Sequence, residues 1–354
     1  MTPDRLRGTA LSLATAALVA TLTSACASPD GAAAARTAGG PTAAASPAPT
    51  ATTTPTTTTP TTATTEPTTT AQPTPNPPAP RDPQAQADLD RRLRDAAWAN
   101  DVAAARVLIA QGADVNAKDD TQQSAYLVTT SEGYLDLLDL ALAHGGDVAS
   151  KDSFNGTGLI RAGERGHTGV VGRLIRAGVE VNHVNRLGWT ALHEAIIFSK
   201  GTTAYDDTVR VLVAGGADVR LPARRDGVAP LDQARNKGAA RQVATLEKAL
   251  RQDAAGPVDR SEANRRLLAA ATSGDADAAA LALRAGAELE TTGDPRRTPL
   301  LLAVTEDRTD VARVLVALGA NPNALDDQQT RPGWSPASPA ASPCSRRCWP
   351  PTRT

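Results

Sequence analysis

The residues that could do chemistry are few, and most fail on spacing. His193 and Glu194 open like a zinc-protease helix, in which two histidines four residues apart hold the metal and the glutamate activates water, but position 197 is Ile where the second histidine is needed. His144, His167 and His183 complete no metal-ligand spacing. Gly156-Thr157-Gly158 suggests a phosphate loop, yet the later glycines and the Lys-Ser/Thr pair are missing. Acidic pairs such as Asp119-Asp120 and Asp206-Asp207 read as solvated turn charges. Three cysteines occur, Cys26, Cys344 and Cys348, so the region between residues 27 and 343 holds neither a disulfide nor a thiol-based site. The expectation is a chain without catalytic residues, metal or cofactor.

Cys26 is the exception, because of what precedes it. Arg5 and Arg7 are followed by an apolar run from Thr9 to Leu22 and then by Thr23-Ser24-Ala25-Cys26. Residues 1–26 therefore read as a signal peptide, with an apolar core too short to span a bilayer. The ending resembles a bacterial lipobox, in which the cysteine is acylated and becomes the new N-terminus. The resemblance implies a protein lipid-anchored at Cys26 outside the cytoplasmic membrane. The alternative is plain secretion, since Thr23 stands where a lipobox usually has Leu.

Residues 27–86 are almost entirely Ala, Thr, Pro, Gly and Ser, as in Thr52-Thr53-Thr54-Pro55-Thr56. Such a stretch buries too little apolar surface to offset its ordering entropy and is expected to be a disordered tether. In polyproline form, at ~3.1 Å per residue, roughly 60 residues reach up to ~190 Å.

The elements that position everything else come from a period. Gly112, Gly145 and Gly178 are spaced by 33 residues, as are Gly286 and Gly319, with Gly215 between the two groups. Nineteen residues before each of the 33-spaced glycines stands Leu93, Tyr126, Leu159, Leu267 or Leu300. Thr298 is a good helix N-cap and Pro299 suits the first helical position, where its missing N–H is no loss. Val170, Val171, Leu174 and Ile175 make one apolar helical stripe, and Gly178 follows as a left-handed cap.

Leu187-Gly188-Trp189-Thr190-Ala191-Leu192-His193-Glu194-Ala195, Gly227-Val228-Ala229-Pro230-Leu231 and Thr298-Pro299-Leu300 are matching phrases near the starts of three such units. On these phrases the chain resembles ankyrin repeats from about Asp88 to Asp327. The fold expected is all-α: a solenoid of about seven helix–turn–helix units with short hairpin turns, starting near Asp88, Asp119, Asp152, Asn185, Arg224, Asp259 and Gly293. Units one to five occupy residues 87–252 and units six and seven residues 253–329. Arg91, Arg92, Arg94 and Asp95 suit a solvent-facing first cap. The fourth unit is four residues longer, with the excess between Phe198 and Asp207. Asn264-Arg265-Arg266-Leu267 echoes Asp90-Arg91-Arg92-Leu93, as if the array began again, and whether units five and six stack continuously stays open.

Residues 330–354 form an irregular tail rich in Pro, Arg and Cys. A one-base shift of reading frame over Gly333 to Arg353, with GC-rich codons, permits a peptide that closely resembles Tyr126 to Asp147. A frameshift near codon 330 would leave the stripe Val311, Val314, Leu315 and Leu318 without a covering neighbour, and that end is expected to fray.

The net charge of −1 lacks a nucleic-acid footprint. The resemblance implies a monomeric, non-enzymatic module that binds an as yet unidentified protein on the concave side, built from hairpin tips and first helices. The positions that map there are Phe154, Arg165, Arg186, Leu187, Trp189, Arg225, Asp226 and Arg297. The long loop from Phe198 to Asp207 is a second candidate surface, with the aromatic pair Phe198 and Tyr205. Trp189 could equally pack between hairpins. The function expected is a protein-interaction scaffold displayed outside the membrane; the alternatives are an inhibitor or protective partner of one exported enzyme, or a spacer.

Overall fold

The computed structural model describes residues 81–293 and 296–325. Cys26, the signal-peptide layout, the Thr/Pro tether up to residue 80 and the tail from residue 330 lie outside the described residues; the tether was expected to run to residue 86, but a helix capped by Asp82 begins at Pro83, so residues 83–86 are helical among the described residues. Fourteen helices occur among them: α1 (Pro83–Trp98), α2 (Val102–Ala110), α3 (Ala125–Glu132), α4 (Leu135–Ala143), α5 (Gly158–Arg165), α6 (Thr168–Arg176), α7 (Ala191–Ile197), α8 (Thr203–Ala214), α9 (Pro230–Asn236), α10 (Ala240–Ala255), α11 (Arg260–Ser273), α12 (Ala276–Arg284), α13 (Pro299–Thr305) and α14 (Thr309–Ala317). They pair into seven units of a first and a second helix.

Local chemistry sets the helix ends. Asp82, Asp101, Ser124, Asp259, Asp275 and Thr298 each accept a backbone N–H of the first turn that follows, which satisfies a donor the helix cannot. Thr190 and His193 form a reciprocal capping box at α7, so His193 is the structural histidine of that helix head. Gly178 takes the left-handed conformation (φ +84°) as expected, but in the fourth unit this position falls to Gly216 (φ +90°) and not to Gly215. The unit is therefore five residues longer. Three of the five extend α8 to 12 residues, against nine in α4 and α6, so Thr203 to Asp207 is helix and not loop.

The first helices α1, α3, α5, α7 and α9 stack in order, with α2, α4, α6, α8 and α10 behind them. At unit six this order ends. Instead of packing on α9, α11 packs on α12 and α13, while α12 lies against α8 and α10 and α14 lies against α6 and α8. Units six and seven thus form a second short stack, docked through its second helices onto the second helices of units three to five. It runs back along the first stack. The first helices of the two stacks lie on opposite outer sides.

The seam explains α8. Its residues Tyr205 to Val213 are all buried, including Asp206, Asp207, Thr208 and Arg210, because α7 covers one side and α12 and α14 the other. Asp206 and Asp207 are helical and buried, contrary to their reading as solvated turn charges. In the stripe expected to lose its covering neighbour, Val311, Val314 and Leu315 are fully buried and Leu318 is half-buried, with α6 and α8 packed on α14. Small residues permit the approach. A Cβ built on Gly172 of α6 would overlap the Ala317 carbonyl of α14.

Candidate functional site

The hairpins of units two to four are built by one repeated device. Asp119 Oδ1 accepts from Thr121 N and Gln123 N at 2.9 and 3.0 Å, Asp152 Oδ1 from Phe154 N and Gly156 N at 2.8 Å each, and Asn185 Oδ1 from Leu187 N and Trp189 N at 3.0 Å each. Each side chain thereby replaces the backbone partners that a tight turn leaves unmet. In unit five Ala223 stands at that position, and Asp226 accepts from Val228 N instead, at 3.1 Å.

Neighbouring hairpins are then tied together. Arg186 N donates to the Phe154 carbonyl and Arg224 N to the Gly188 carbonyl, both at 2.9 Å. Lys118 Nζ reaches the Lys151 carbonyl and Arg186 Nη1 the Ser153 carbonyl, at 2.8 Å each. The result is a rigid rim of consecutive tips.

Six of the positions expected to bind a partner come together on this rim: Phe154, Arg186, Leu187, Trp189, Arg225 and Asp226. Phe154 is 51 % exposed, a large hydrophobic held in water by a fixed backbone. Arg186, Arg225 and Asp226 are exposed; Leu187 and Trp189 are half-buried. Arg165 sits at the C-terminal end of α5, the end away from the hairpin, with Nη1 on Glu132 Oε1 at 2.8 Å. Phe198 is half-buried at the end of α7.

Two positions do not join them. Tyr205 is 4 % exposed, its ring beside Gly166 and its hydroxyl donating to the Glu164 carbonyl at 3.0 Å, so it is core and not part of a second surface. The reason is the extra turn of α8, which draws it inward. Arg297 belongs to unit seven and therefore to the other stack.

Beneath the hairpins lies a charge cluster that the sequence did not single out. Arg161 bonds Asp152 at 2.7 Å and Glu164 at 3.1 Å. Glu194 of α7 is buried, accepts from Asn185 Nδ2 at 2.8 Å through Oε1, and has no partner for Oε2 among the described residues. Burial and then the nearby Glu164 push its carboxyl up to about 8. This arrangement holds a proton and presents no nucleophile. Among the described residues no group of three or more His, Cys, Asp or Glu is placed to hold a metal ion.

A cleft of about 700 Å³ opens at the seam, lined by Thr168, Thr203, Asp207, Arg241, Asp310 and Arg313 among others. Its charges already pair: Arg313 bonds Asp207 and Asp310 at 2.6 Å each, and Arg241 lies 3.6 Å from Asp206. It joins the stacks.

Comparison with known proteins finds the same repeat. The family profile for three copies of the ankyrin repeat matches residues 124–223, and that for a single ankyrin repeat matches residues 296–327. The Escherichia coli K12 protein YahD, named for ankyrin repeats, is 34 % identical over 137 residues, which are 38 % of this chain and 68 % of that protein. The chain belongs to the ankyrin-repeat family. Human ankyrin repeat domain-containing protein 63 is 33 % identical over 101 residues, 27 % of each chain. The crystal structure of an ankyrin repeat domain from Acinetobacter baumannii AYE is 48 % identical, covering 44 % of this chain and 80 % of that one, with a TM-score of 0.43. Ankyrin repeats serve as protein-binding modules.

Proposed function

We propose that this ankyrin-repeat chain is a non-catalytic protein-binding scaffold whose partner docks on the hairpin tips and first helices of units three to five. The observation that carries the reading is Phe154. A side chain 51 % exposed on a backbone fixed by Asp152 and tied to Arg186 is an aromatic anchor already in place, so binding orders little. Trp189, Arg186 and Arg225 around it are residue types that dominate interface energy. The scaffold works outside the cytoplasmic membrane, lipid-held at Cys26 and extended by its Thr/Pro tether.

Both halves have a direct test. Crosslinking to exported proteins, followed by quantitative pull-down, is expected to yield a partner whose recovery drops in Phe154→Ala and Trp189→Ala; equal recovery by both variants removes the docking face. Mass spectrometry of the membrane fraction is expected to find an N-terminal acylated Cys26, and an intact Met1 peptide would remove the display.

A further inference from the structure

The rim carries a charge pattern that the rest of the face does not. Lys118, Lys151, Arg186, Arg224 and Arg225 lie on four consecutive hairpins, and none of them meets a carboxylate in an ion pair. Against these five cations the same hairpins expose two carboxylates, Asp120 and Asp226. The arginines of the helical floor differ, since Arg161 is held by Asp152 and Glu164, and Arg165 by Glu132. Lys118 and Arg186 rest on carbonyls, which orient them without cancelling their charge. The tip cations are therefore unneutralised where the arginines of α5 are not.

We infer that the rim recognises an acidic, extended peptide segment of the partner, with an apolar side chain of that segment set against Phe154. Packed helices stand ~8–10 Å apart, so successive tips present cations at about that interval, which an extended polyproline II segment, rising ~3.1 Å per residue with about three residues per turn, meets with every third side chain on one face. A carboxylate at every third residue matches the rail; a continuous acidic run wastes two of three. Charge complementarity of this kind speeds encounter and rejects basic partners. The inference rests on the reading of the hairpin face as the docking surface.

The test is selection of a phage-displayed random-peptide library on the immobilised full-length protein, with fluorescence anisotropy on the selected peptides. Selected sequences are expected to carry Asp or Glu at about three-residue spacing with one apolar residue. Their affinity should fall about tenfold in K151Q/R186Q/R225Q and at high ionic strength. All three sites are at the surface, and a far-UV melt of the variant serves as the folding control; the single variant R225Q gives the same direction if the triple variant is unstable. Neutral or basic winners, acidic winners indifferent to these substitutions, or no winners overturn the inference. Neutral winners that lose binding in Phe154→Ala leave the docking face standing while the acidic ligand falls, whereas winners that bind Phe154→Ala undiminished remove both.

Discussion

Arg210 Nε donates to Asp277 Oδ1 at 2.8 Å, closing a contact between residues 67 positions apart and joining the second helices of units four and six. The pair does not stand alone. Asp277 also accepts from Thr245 Oγ1 at 2.8 Å and from Lys248 Nζ at 3.0 Å, while the other arm of Arg210 holds Asp207, which in turn takes Arg313 of α14. Burial alone would raise the Asp277 carboxyl, but Arg210, Lys248 and Thr245 outweigh it and hold it below its usual value. Such a network adds less net stability than its contacts suggest, because its charges had to leave water, yet it is severe to break from one side.

Asp277→Ala is accordingly expected to destabilise the chain by about 3 kcal/mol, leaving Arg210 buried with half its partners. Hydrogen exchange should accelerate first in α11 to α14. Equal acceleration in α1 to α5 would show that the two stacks do not separate at this seam. The pH dependence has a fixed sign: the folded carboxyl sits below its unfolded value near 3.8, so its contribution is complete above that value and lost as pH falls through the folded pKa.

Glu194 behaves in the opposite sense. Its folded carboxyl sits near 8 against 4.5 when free, so the folded state holds a proton that the unfolded state has released across that interval. Stability should fall as pH rises from about 4.5 to 8 and level off beyond. E194Q keeps an acceptor for Asn185 and has nothing to titrate. Its denaturant midpoint should be flatter over the same range; an unchanged slope would mean that another group carries it.

Gly172 marks the closest approach of the stacks. Gly172→Val puts side-chain atoms where the Ala317 carbonyl stands and should cost about 1–3 kcal/mol, the range for an overfilled core. Limited proteolysis should then cut between α10 and α11 before it cuts within units one to four. A variant as resistant as the parent would mean that α6 and α14 do not touch.

Phe154 and Tyr205 separate binding from folding. Phe154→Ala should leave the melting temperature almost unchanged, because half the ring is already in water. Tyr205→Ala empties a buried site and should cost about 3–5 kcal/mol, the range for large aromatics. Thermal melts of the two variants, measured side by side, check the contrast.

Much of this architecture was legible because it is local. Thr298-Pro299, Gly178 and the stripe Val170, Val171, Leu174 and Ile175 each act within one unit, and the structure shows all three as read. The hairpin register placed Phe154, Arg186 and Trp189 on one rim for the same reason. The fold-back was not legible, since it depends on pairs such as Arg210 with Asp277 and Arg313 with Asp207 that no short window contains. Its nearest sequence signal was α8, where Asp206, Asp207 and Arg210 share a helix with Val209, Val211 and Leu212, a polar face too charged for a core and buried all the same. The echo of Asp90-Arg91-Arg92-Leu93 at Asn264-Arg265-Arg266-Leu267 marked where the second stack starts, but not where it goes. Tyr205 was misplaced because the inserted residues were read as loop, although an added helical turn takes up most of the same length.

The return of α14 onto α6 changes how the array shares its free energy. An open repeat array is a one-dimensional lattice in which each unit couples only to the next and can peel from an end. Here unit seven bears on unit three, so the lattice has a cross-link of long contact order, and peeling from the C-terminal side must also strip α6 and α8. Units three to seven should melt as one cooperative block with units one and two as the loose end, and the block should close slowly, because contacts so distant in sequence form only after the chain between them has been ordered.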